Sequence, residues 1–395
     1  MSKHLLAIAL CASLGSAPGS ARAEDLTQIY RDALVSDPTL AAARSTWLAT
    51  QENVPQARAG LLPSVLLSAL ANEQDYHQTL HTDPQTKFSQ RFPSAGYTVS
   101  ASQPLYRAQN LIGYDQAKQQ VGQADYVLAS AQQDLIVRVA QAYFNVLLAQ
   151  FTIELTASQK AAVSENLAQA KRNFEVGTAT ITDTNDAQAK YDQIVAQEIS
   201  VLNDLENALA ALRAIIGRLP KDLKRFDRKF QPEPPSPNAL EPWVDKAVRE
   251  NLQVRIAQAN LDIATLEVDR QRAGHYPTLD LVASFNQAYA GGAASTNLAA
   301  NFSTDFRIGL IGVQLNLPIY QGGSVDSKVR QAVANQDTSR QNLEAARRSA
   351  QLLAQISYAG VTNGVAQVKA LDQAVASAQR ARCGSRRARA TARRH

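Results

Sequence analysis

Residues 58–63 read Arg58-Ala59-Gly60-Leu61-Leu62-Pro63, and residues 272–277 read Arg272-Ala273-Gly274-His275-Tyr276-Pro277. Two further marks agree at the same displacement of 214 positions: Pro104-Leu105-Tyr106 falls on Pro318-Ile319-Tyr320, and Gln141 with Phe144 falls on Gln355 with Tyr358. A period this long is too large for a solenoid of small units. The sequence therefore predicts a duplicated half with the same order of elements.

Each repeat is predicted to contain one helix and then two strands. The helices span about 25–60 and 240–274, and each ends at a glycine and a proline. The strand segments, near 64–69, 97–102, 279–286 and 306–317, alternate between an apolar face and a small or polar face. This pattern is typical of strands between lipid and a wet lumen, and also of half-buried strands in a soluble sandwich. The polar connections, 72–95 and 286–304, are predicted to be exposed loops.

Six residues mark the predicted junctions between strands and helices. Proline fits where a strand ladder ends, because it cannot donate a hydrogen bond to the ladder. The two tyrosines have two open roles, anchoring at a membrane interface or packing against the helix that follows. The junction residues are Pro63, Pro104, Tyr106, Pro277, Pro318 and Tyr320.

Long amphipathic helices follow the first pair of strands. Apolar residues recur at steps of seven, four and three from Leu128 to Ala149, and again from Ile194 to Ile216 on a returning helix. The first helix, over about 108–175, would be roughly 100 Å long at about 1.5 Å per residue. Only a rod, a tube or a spacer uses a helix of that length.

A turn between these helices reads Asn173-Phe174-Glu175-Val176-Gly177-Thr178-Ala179-Thr180-Ile181-Thr182-Asp183. Gly177 is able to take the positive φ that ends a helix, and Thr182 or Asp183 is able to cap the next helix. The segment resembles the periplasmic hairpin tip of the TolC family, which has an aromatic-x-x-Gly element followed by Thr-Asp. A signal peptide predicted over 1–23, the Pro-x-Tyr junctions and the duplication support this resemblance, which covers residues 24 to about 379.

The resemblance implies a mixed α/β membrane protein with a duplicated strand pair and a long coiled helical hairpin. Three copies would form a homotrimer, with a 12-stranded β-barrel in outer membrane lipid and an α-helical tunnel in the periplasm. A periplasmic adaptor (membrane fusion) protein and an inner-membrane ABC or RND-type pump are the expected partners. In the family, the residues that match Thr182 and Asp183 link neighbouring hairpins of the closed tip. Phe174, Gly177, Thr182 and Asp183 are therefore the candidate tip and gate residues, with a plain helix cap as the alternative role for the last two.

The N-terminal residues predict export. An apolar stretch over 5–14 follows Lys3, and Ala21-Arg22-Ala23 supplies the small residues that a signal peptidase reads, which predicts a signal peptide over 1–23. Cys11 leaves with this signal, and the only other cysteine is Cys383. No later apolar run reaches the roughly 20 residues of a membrane helix, so a membrane crossing would use strands.

The C-terminal residues carry the excess positive charge. Seven arginines lie among the last 16 residues, and without this tail and the signal the chain has 31 basic and 35 acidic residues. The formal charge of +5 therefore gives no reason to expect nucleic-acid binding by the body of the protein. The displacement of 214 places a second tip at 388, where an Arg/Ala run stands. We expect a truncated or frameshifted second repeat, and a purposeful basic tail is the alternative.

The predicted organisation has five parts. They are a signal peptide (1–23), a first repeat (24–219), a Pro-rich linker (220–239), an incomplete second repeat (240–379) and an Arg-rich tail (380–395). Export through the outer membrane, of proteins or of small toxic compounds, is the predicted function. A periplasmic adaptor-like coiled-coil protein and a nonfunctional channel fragment are the alternatives.

The histidines and glycines form no recognisable catalytic pattern. His77, His81 and His275 have no cysteine or acidic cluster at ligand spacing, and Gly291-Gly292 and Gly322-Gly323 lack the flanks of a phosphate loop. We therefore expect no catalytic residue, no metal and no cofactor.

Overall fold

The computed structural model describes residues 23–81, 86–225, 232–291 and 303–392. The predicted signal peptide lies outside these residues except for Ala23, as do part of the linker (226–231) and the last three residues of the tail. The helices are α1 (Leu26–Ser36), α2 (Pro38–Gln51), α3 (Asn53–Ala59), α4 (Ala108–Glu175), α5 (Ile181–Ile216), α6 (Glu241–Glu250), α7 (Leu252–Arg272) and α8 (Ser324–Ala392). The strands are β1 (Ser64–Leu80), β2 (Thr86–Tyr106), β3 (Thr278–Ala290) and β4 (Thr304–Asn316).

The single helix predicted at the start of each repeat is wrong, because polar caps divide it. The first is broken at Asp37, whose backbone is extended and whose carboxylate accepts a hydrogen bond from Leu40 N at 2.8 Å. Pro38 begins α2, where its missing N–H costs no helical hydrogen bond. In the second, the Asn251 side chain accepts hydrogen bonds from Gln253 N and Val254 N and so starts α7.

The four strands form one antiparallel sheet in the order β1-β2-β3-β4. The first hairpin pairs Ser64 with Ser102 and the second pairs Thr278 with Asn316, so both hairpins have the same register 214 positions apart. The sequence displacement is therefore also a displacement in the hydrogen-bond ladder.

The predicted loop over 72–95 is wrong for most of its length. The ladder of β1 and β2 continues from Asn72 opposite Ser94 to Leu80 opposite Thr86. Polar residues on both faces had suggested a loop, but an extended two-stranded ribbon also tolerates them because the backbone hydrogen bonds do not depend on side-chain polarity. In the second hairpin, β3 extends to Ala290, and the rest of the predicted loop lies mainly outside the described residues.

The two faces of the sheet differ in chemistry. One face carries apolar residues from all four strands: Val65, Leu67, Ala69, Val99, Ala101, Leu281, Ala283, Phe285, Ile311, Val313 and Leu315. The opposite face carries Ser100, Ser284, Thr98 and Asn286 at its centre, with larger apolar residues on its two edge strands. Leu67 and Val313, on the apolar face, are 66% and 62% exposed in the single chain. This face therefore needs a cover that one copy does not supply.

Helix α4 spans Ala108–Glu175, the bounds that the sequence predicts, and α5 returns to Ile216. Gly217 ends α5 with φ of 74°, a conformation that favours glycine. One 18-residue window of α4 has a mean hydropathy of 1.3, apolar enough by length and composition alone to cross a membrane. That window corrects the expectation that no apolar run is long enough. Along the same helix, Leu135, Val139 and Val146 of the predicted packing stripe are buried.

Helix α8 continues to Ala392. Positions 388 and 391, at which the displacement of 214 places a second tip, are therefore helical. The side chains beyond residue 381 lie outside the described part of the chain.

The chain divides into two compact units, which do not coincide with the predicted repeats. One unit comprises Met1–Ala42 with Ala131–Gln231, and the other comprises Ala43–Ser130 with Pro232–His395. The chain passes between the units within α2 and within α4. The division into repeats stays a prediction about the sequence register.

A buried ion pair lies at the start of α2, in the unit that contains residues 131–231. Both oxygens of Asp37 accept hydrogen bonds from the Arg138 guanidinium, at 3.1 and 2.7 Å, and the Asp37 side chain is only 2% exposed. The hydrogen bond from Arg138 holds the pKa of Asp37 below its usual value although burial raises it. Nearby, Arg218 contacts both Glu24 and Asp32, and the Tyr143 hydroxyl donates to Lys224 O at 2.7 Å.

Replacement of Arg138 by alanine is expected to lower the free energy of unfolding by about 3 kcal/mol, because it leaves the Asp37 carboxylate buried without its cation. The matched control is Arg225→Ala, whose partner Glu154 is 53% exposed, because exposed pairs contribute about 0–1 kcal/mol. Urea unfolding followed by circular dichroism measures both. The difference in free energy of unfolding between Arg138→Ala and the parent should shrink below about pH 4. The reason is that the stabilisation from a lowered carboxyl pKa is lost as pH falls. Equal losses in the two variants would contradict a buried role for this pair.

Candidate functional site

The turn between α4 and α5 is closed by backbone and side-chain hydrogen bonds. Gly177 has φ of 75°, and its N–H donates to Phe174 O at 3.0 Å. Thr178 N donates to Asn173 O at 2.8 Å. These bonds satisfy carbonyls at the end of α4 and reverse the chain within five residues. The predicted position of the tip therefore coincides with the observed turn.

The cap of α5 is Thr180, not Thr182 or Asp183 as the sequence suggested. Asp183 N donates to Thr180 Oγ1 at 3.2 Å, and Thr180 N donates to Asp183 Oδ2 at 2.9 Å, which together form a capping box. The hydrogen bonds from Thr180 hold the pKa of Asp183 below its usual value. Asp183 is therefore an ionised carboxylate that is already engaged within its own turn.

Thr182 is exposed, and its hydroxyl makes no hydrogen bond to the described residues of its own chain. Three apolar side chains surround the same turn and face solvent: Phe174, Val176 and Ile181. The tip therefore presents the exposed Thr182 hydroxyl and an apolar rim to another molecule.

The first strand-to-helix junction is held by a buried ion pair. Arg107 lies between β2 and α4, and its Nε and Nη2 donate to the two oxygens of Asp280 at 2.8 and 2.7 Å. The Asp280 side chain, at the start of β3, is 5% exposed. The pairing of β2 with β3 is irregular between Pro104 and Tyr106. Pro104 still pairs with Asp280, so this predicted junction proline lies within the ladder and not beyond its end.

The second junction is open in the single chain. Pro318 and Tyr320 follow the end of β4, and Gly322 and Gly323 have φ of 62° and 76° before α8 begins. Tyr320 is 86% exposed, whereas its counterpart Tyr106 is 42% exposed. Pro63 and Pro277 directly precede β1 and β3. The equivalent junctions therefore differ mainly in whether another strand covers them.

Sequence reasoning missed three residues that the structure brings into these sites. Thr180 was detectable, because it stands three positions before an acidic residue at a helix start. The pair of Arg107 with Asp280 had no local signal, because 173 positions separate its members. Within the described ranges, no group of three or more histidine, cysteine or acidic side chains is arranged to hold a metal ion.

A sequence model of the outer membrane efflux protein family matches residues 29–218 and 243–390. The chain belongs to this family. The outer membrane protein TolC of Vibrio cholerae serotype O1 is 34% identical over 379 residues, which cover 96% of this chain and 84% of that protein. The proteases secretion protein PrtF of Dickeya chrysanthemi is 31% identical over 381 residues, which cover 95% of this chain and 81% of PrtF.

A solved outer membrane channel has the same fold. The outer membrane channel CmeC of Campylobacter jejuni matches with a TM-score of 0.69 at 16% sequence identity, over 90% of this chain and 73% of CmeC. The protein is therefore an outer-membrane channel protein for efflux or type I secretion, with a β-sheet that belongs to a membrane barrel and helices that extend into the periplasm. Proteins of this family are channels and not enzymes.

Replacement of Arg107 by glutamine is expected to destabilise the channel protein by about 3 kcal/mol, because Asp280 is left buried without its cation. The matched control is Arg91→Gln on the same sheet, because its contact with Asp75 is exposed and 3.4 Å long. The double variant Arg107→Gln with Asp280→Asn should recover part of the loss. Thermal unfolding in detergent compares the stability of the three variants with that of the parent. A control variant as unstable as Arg107→Gln would contradict the role given to burial.

Proposed function

We propose that three copies of this chain form a closed duct through the outer membrane. The open edges of β1 and β4 support this assembly, because among the described residues each strand has a hydrogen-bonded neighbour on one side only. An unpaired backbone group in lipid costs several kcal/mol, and closure of a barrel removes both edges. Three copies with four strands each give the 12 strands that family resemblance implies.

A periplasmic adaptor protein and an inner-membrane ABC or RND-type pump are the proposed partners. The duct itself has no energy source and no catalytic site in this proposal, so an energised pump must drive transport. The exposed apolar rim of Phe174, Val176 and Ile181 is the surface that we assign to the adaptor. Nucleic acid is not a proposed partner, since the excess basic residues are confined to the tail.

Exported proteins or small toxic compounds are the proposed cargo. The similarity to PrtF, whose name states protease secretion, supports a type I secretion role, and the match to the efflux family supports a role in small-molecule efflux. A periplasmic adaptor-like function is disfavoured, because the family match extends over the strands as well as the helical hairpin.

We propose that Thr182 holds the tip closed. Phe174, Gly177 and Asp183 are the residues that shape the turn. Asp183 is engaged by Thr180, which leaves the Thr182 hydroxyl as the group available to a neighbouring hairpin. A hydrogen bond across the tip would hold the hairpins together until an adaptor replaces it.

Expression of the protein in a Gram-negative strain that lacks its own TolC-type channel tests the proposed function. We expect restored efflux of a fluorescent dye, restored secretion of a type I protease, or both. The control is Ser284→Pro at the centre of β3, which removes a ladder donor between two neighbouring strands. If the unmodified protein reaches the outer membrane but restores neither activity, the proposal is contradicted.

Replacement of Thr182 by alanine is expected to increase the closed channel's conductance in planar bilayers. Loss of a hydrogen bond of about 1 kcal/mol shifts the open population about fivefold for each bond. The matched control is Thr178→Ala at the same tip, whose hydroxyl donates within its own turn to Asn173 O at 3.0 Å. Equal conductance in Thr182→Ala and the parent would show that Thr182 does not hold the tip closed.

A further inference from the structure

The first residue after the predicted signal peptide, Glu24, is bound by residues 218–224, the segment that follows α5. Glu24 and Leu223 form a parallel β-bridge outside the four-stranded sheet. Glu24 N donates a hydrogen bond to Asp222 O at 2.7 Å, and Lys224 N donates to Glu24 O at 2.9 Å. The backbone of residue 24 is therefore hydrogen-bonded through both its N–H and its carbonyl to one short stretch of chain.

The Glu24 side chain is bound by the same segment. One carboxylate oxygen lies 2.9 Å from Arg218 Nη2, and the other accepts a hydrogen bond from Lys221 N at 3.2 Å. The side chain is only 11% exposed, so these contacts replace most of its contact with water. Arg218 also contacts Asp32 of α1, so the segment after α5 holds both Glu24 and the helix that follows it.

These contacts begin at the predicted cleavage position. Ala23, the last residue of the predicted signal peptide, is exposed. Directly after Glu24, the Asp25 carboxylate accepts a hydrogen bond from Gln28 N at 2.7 Å and caps α1. Within the described part of the chain, the hydrogen bonds therefore start at the residue where a signal peptidase would create a new N-terminus.

We propose that residues 218–224 form a binding site for the mature N-terminus, and that removal of the signal peptide completes this site. Hydrolysis by a signal peptidase breaks the bond between the Ala23 carbonyl carbon and the Glu24 nitrogen. The oxygen of the attacking water goes to Ala23, which leaves with the signal as a carboxylate. The two protons of that water go to the Glu24 nitrogen, which becomes an α-ammonium group. A charged donor to Asp222 O thereby replaces a neutral amide at the same position.

The new charge strengthens the contact with the segment. A hydrogen bond from a charged donor is roughly twice as strong as one between neutral groups. The α-ammonium group stays mostly protonated at neutral pH, because the usual pKa of an α-amino group is about 7.7–8.0. The site then recognises three groups of one residue: the ammonium through Asp222 O, the carbonyl through Lys224 N, and the carboxylate through Arg218 and Lys221 N. Its ligand is a chain end whose first residue is acidic.

Tyr143 connects this site to the long helix α4. Its side chain is buried, and its hydroxyl donates to Lys224 O at 2.7 Å. Lys224 therefore binds Glu24 through its N–H and α4 through its carbonyl. Docking of the mature N-terminus consequently holds α1, α4 and the segment after α5 together. Processing of the chain would thus strengthen the base of the helical hairpin, whatever cargo the duct carries.

Limited trypsin digestion of the mature protein in mild detergent tests the site, because Lys221 and Lys224 are trypsin sites inside it. When opening is fast, cleavage of a folded segment follows the fraction of molecules in which it is open. One threonine inserted between Ala23 and Glu24 keeps every native side chain, but it moves the ammonium away from Asp222 O and leaves a neutral amide there. A signal peptidase requires a small residue such as alanine before its cut, so the cut stays after Ala23. Mass spectrometry of the N-terminal peptide checks this position.

We expect cleavage after Lys221 and Lys224 to be about fivefold faster in the threonine insertion than in the parent. This factor corresponds to the difference of about 1 kcal/mol between a charged and a neutral hydrogen bond. Glu24→Ala, which keeps the ammonium but removes the carboxylate that Arg218 binds, should also be cleaved faster. Cleavage after Lys171, near the far end of α4, is the internal control and should be the same in all three proteins.

Labelling of the α-amine with an amine-reactive ester at neutral pH is the second measurement. The bound amine of the parent should react several-fold more slowly than the amine of the threonine insertion, which lies outside the site. Equal rates for the parent and the insertion in either measurement would overturn the proposal, as would a mature chain that begins at a residue other than Glu24. Both measurements concern only the N-terminus and residues 218–224, so a negative result would leave the proposed duct standing.

Discussion

The constraint on which the rest of the structure depends is the pairing of backbone N–H and C=O groups along the sheet. In lipid these groups have no water to bind, so each strand needs a hydrogen-bonded neighbour on both sides. The two central strands have both neighbours within the chain, and β1 and β4 have one each in its described part. The outer edges of β1 and β4 are therefore the backbone groups that the proposed assembly of copies has to pair.

The helices depend on the sheet through the junctions. Arg107 joins the end of β2 to the start of β3 at the point where α4 begins, so one buried ion pair links two strands beside the first residues of that helix. At the other end of α4, the turn is closed by backbone bonds and by the capping box of Thr180 and Asp183. The backbone of the tip is therefore hydrogen-bonded within its own turn, while its apolar rim and Thr182 are exposed. This combination suits a surface that exchanges contacts with another hairpin for contacts with a partner protein.

The sequence predicted the elements whose signals are local or periodic. The bounds of α4, the turn at Gly177 and the position of each strand follow from apolar periodicity and from glycine and proline. The extent of β1 and β2 could not be predicted, because polar side chains such as Asn72 and Asp75 resemble a loop until the partner strand is known. The breaks at Asp37 and Asn251 depend on caps inside otherwise helical patterns. The pair of Arg107 with Asp280 depends on the β2–β3 register, which side-chain alternation does not specify across 173 positions.

Native mass spectrometry of the protein extracted from outer membranes in mild detergent is the most direct test of the requirement that copies close each other's sheet edges. Closure predicts a complex of three chains, with no stable species of one chain in the membrane fraction. A folded, membrane-inserted single chain would contradict it, because the outer edges of β1 and β4 would then be tolerated in lipid without a partner.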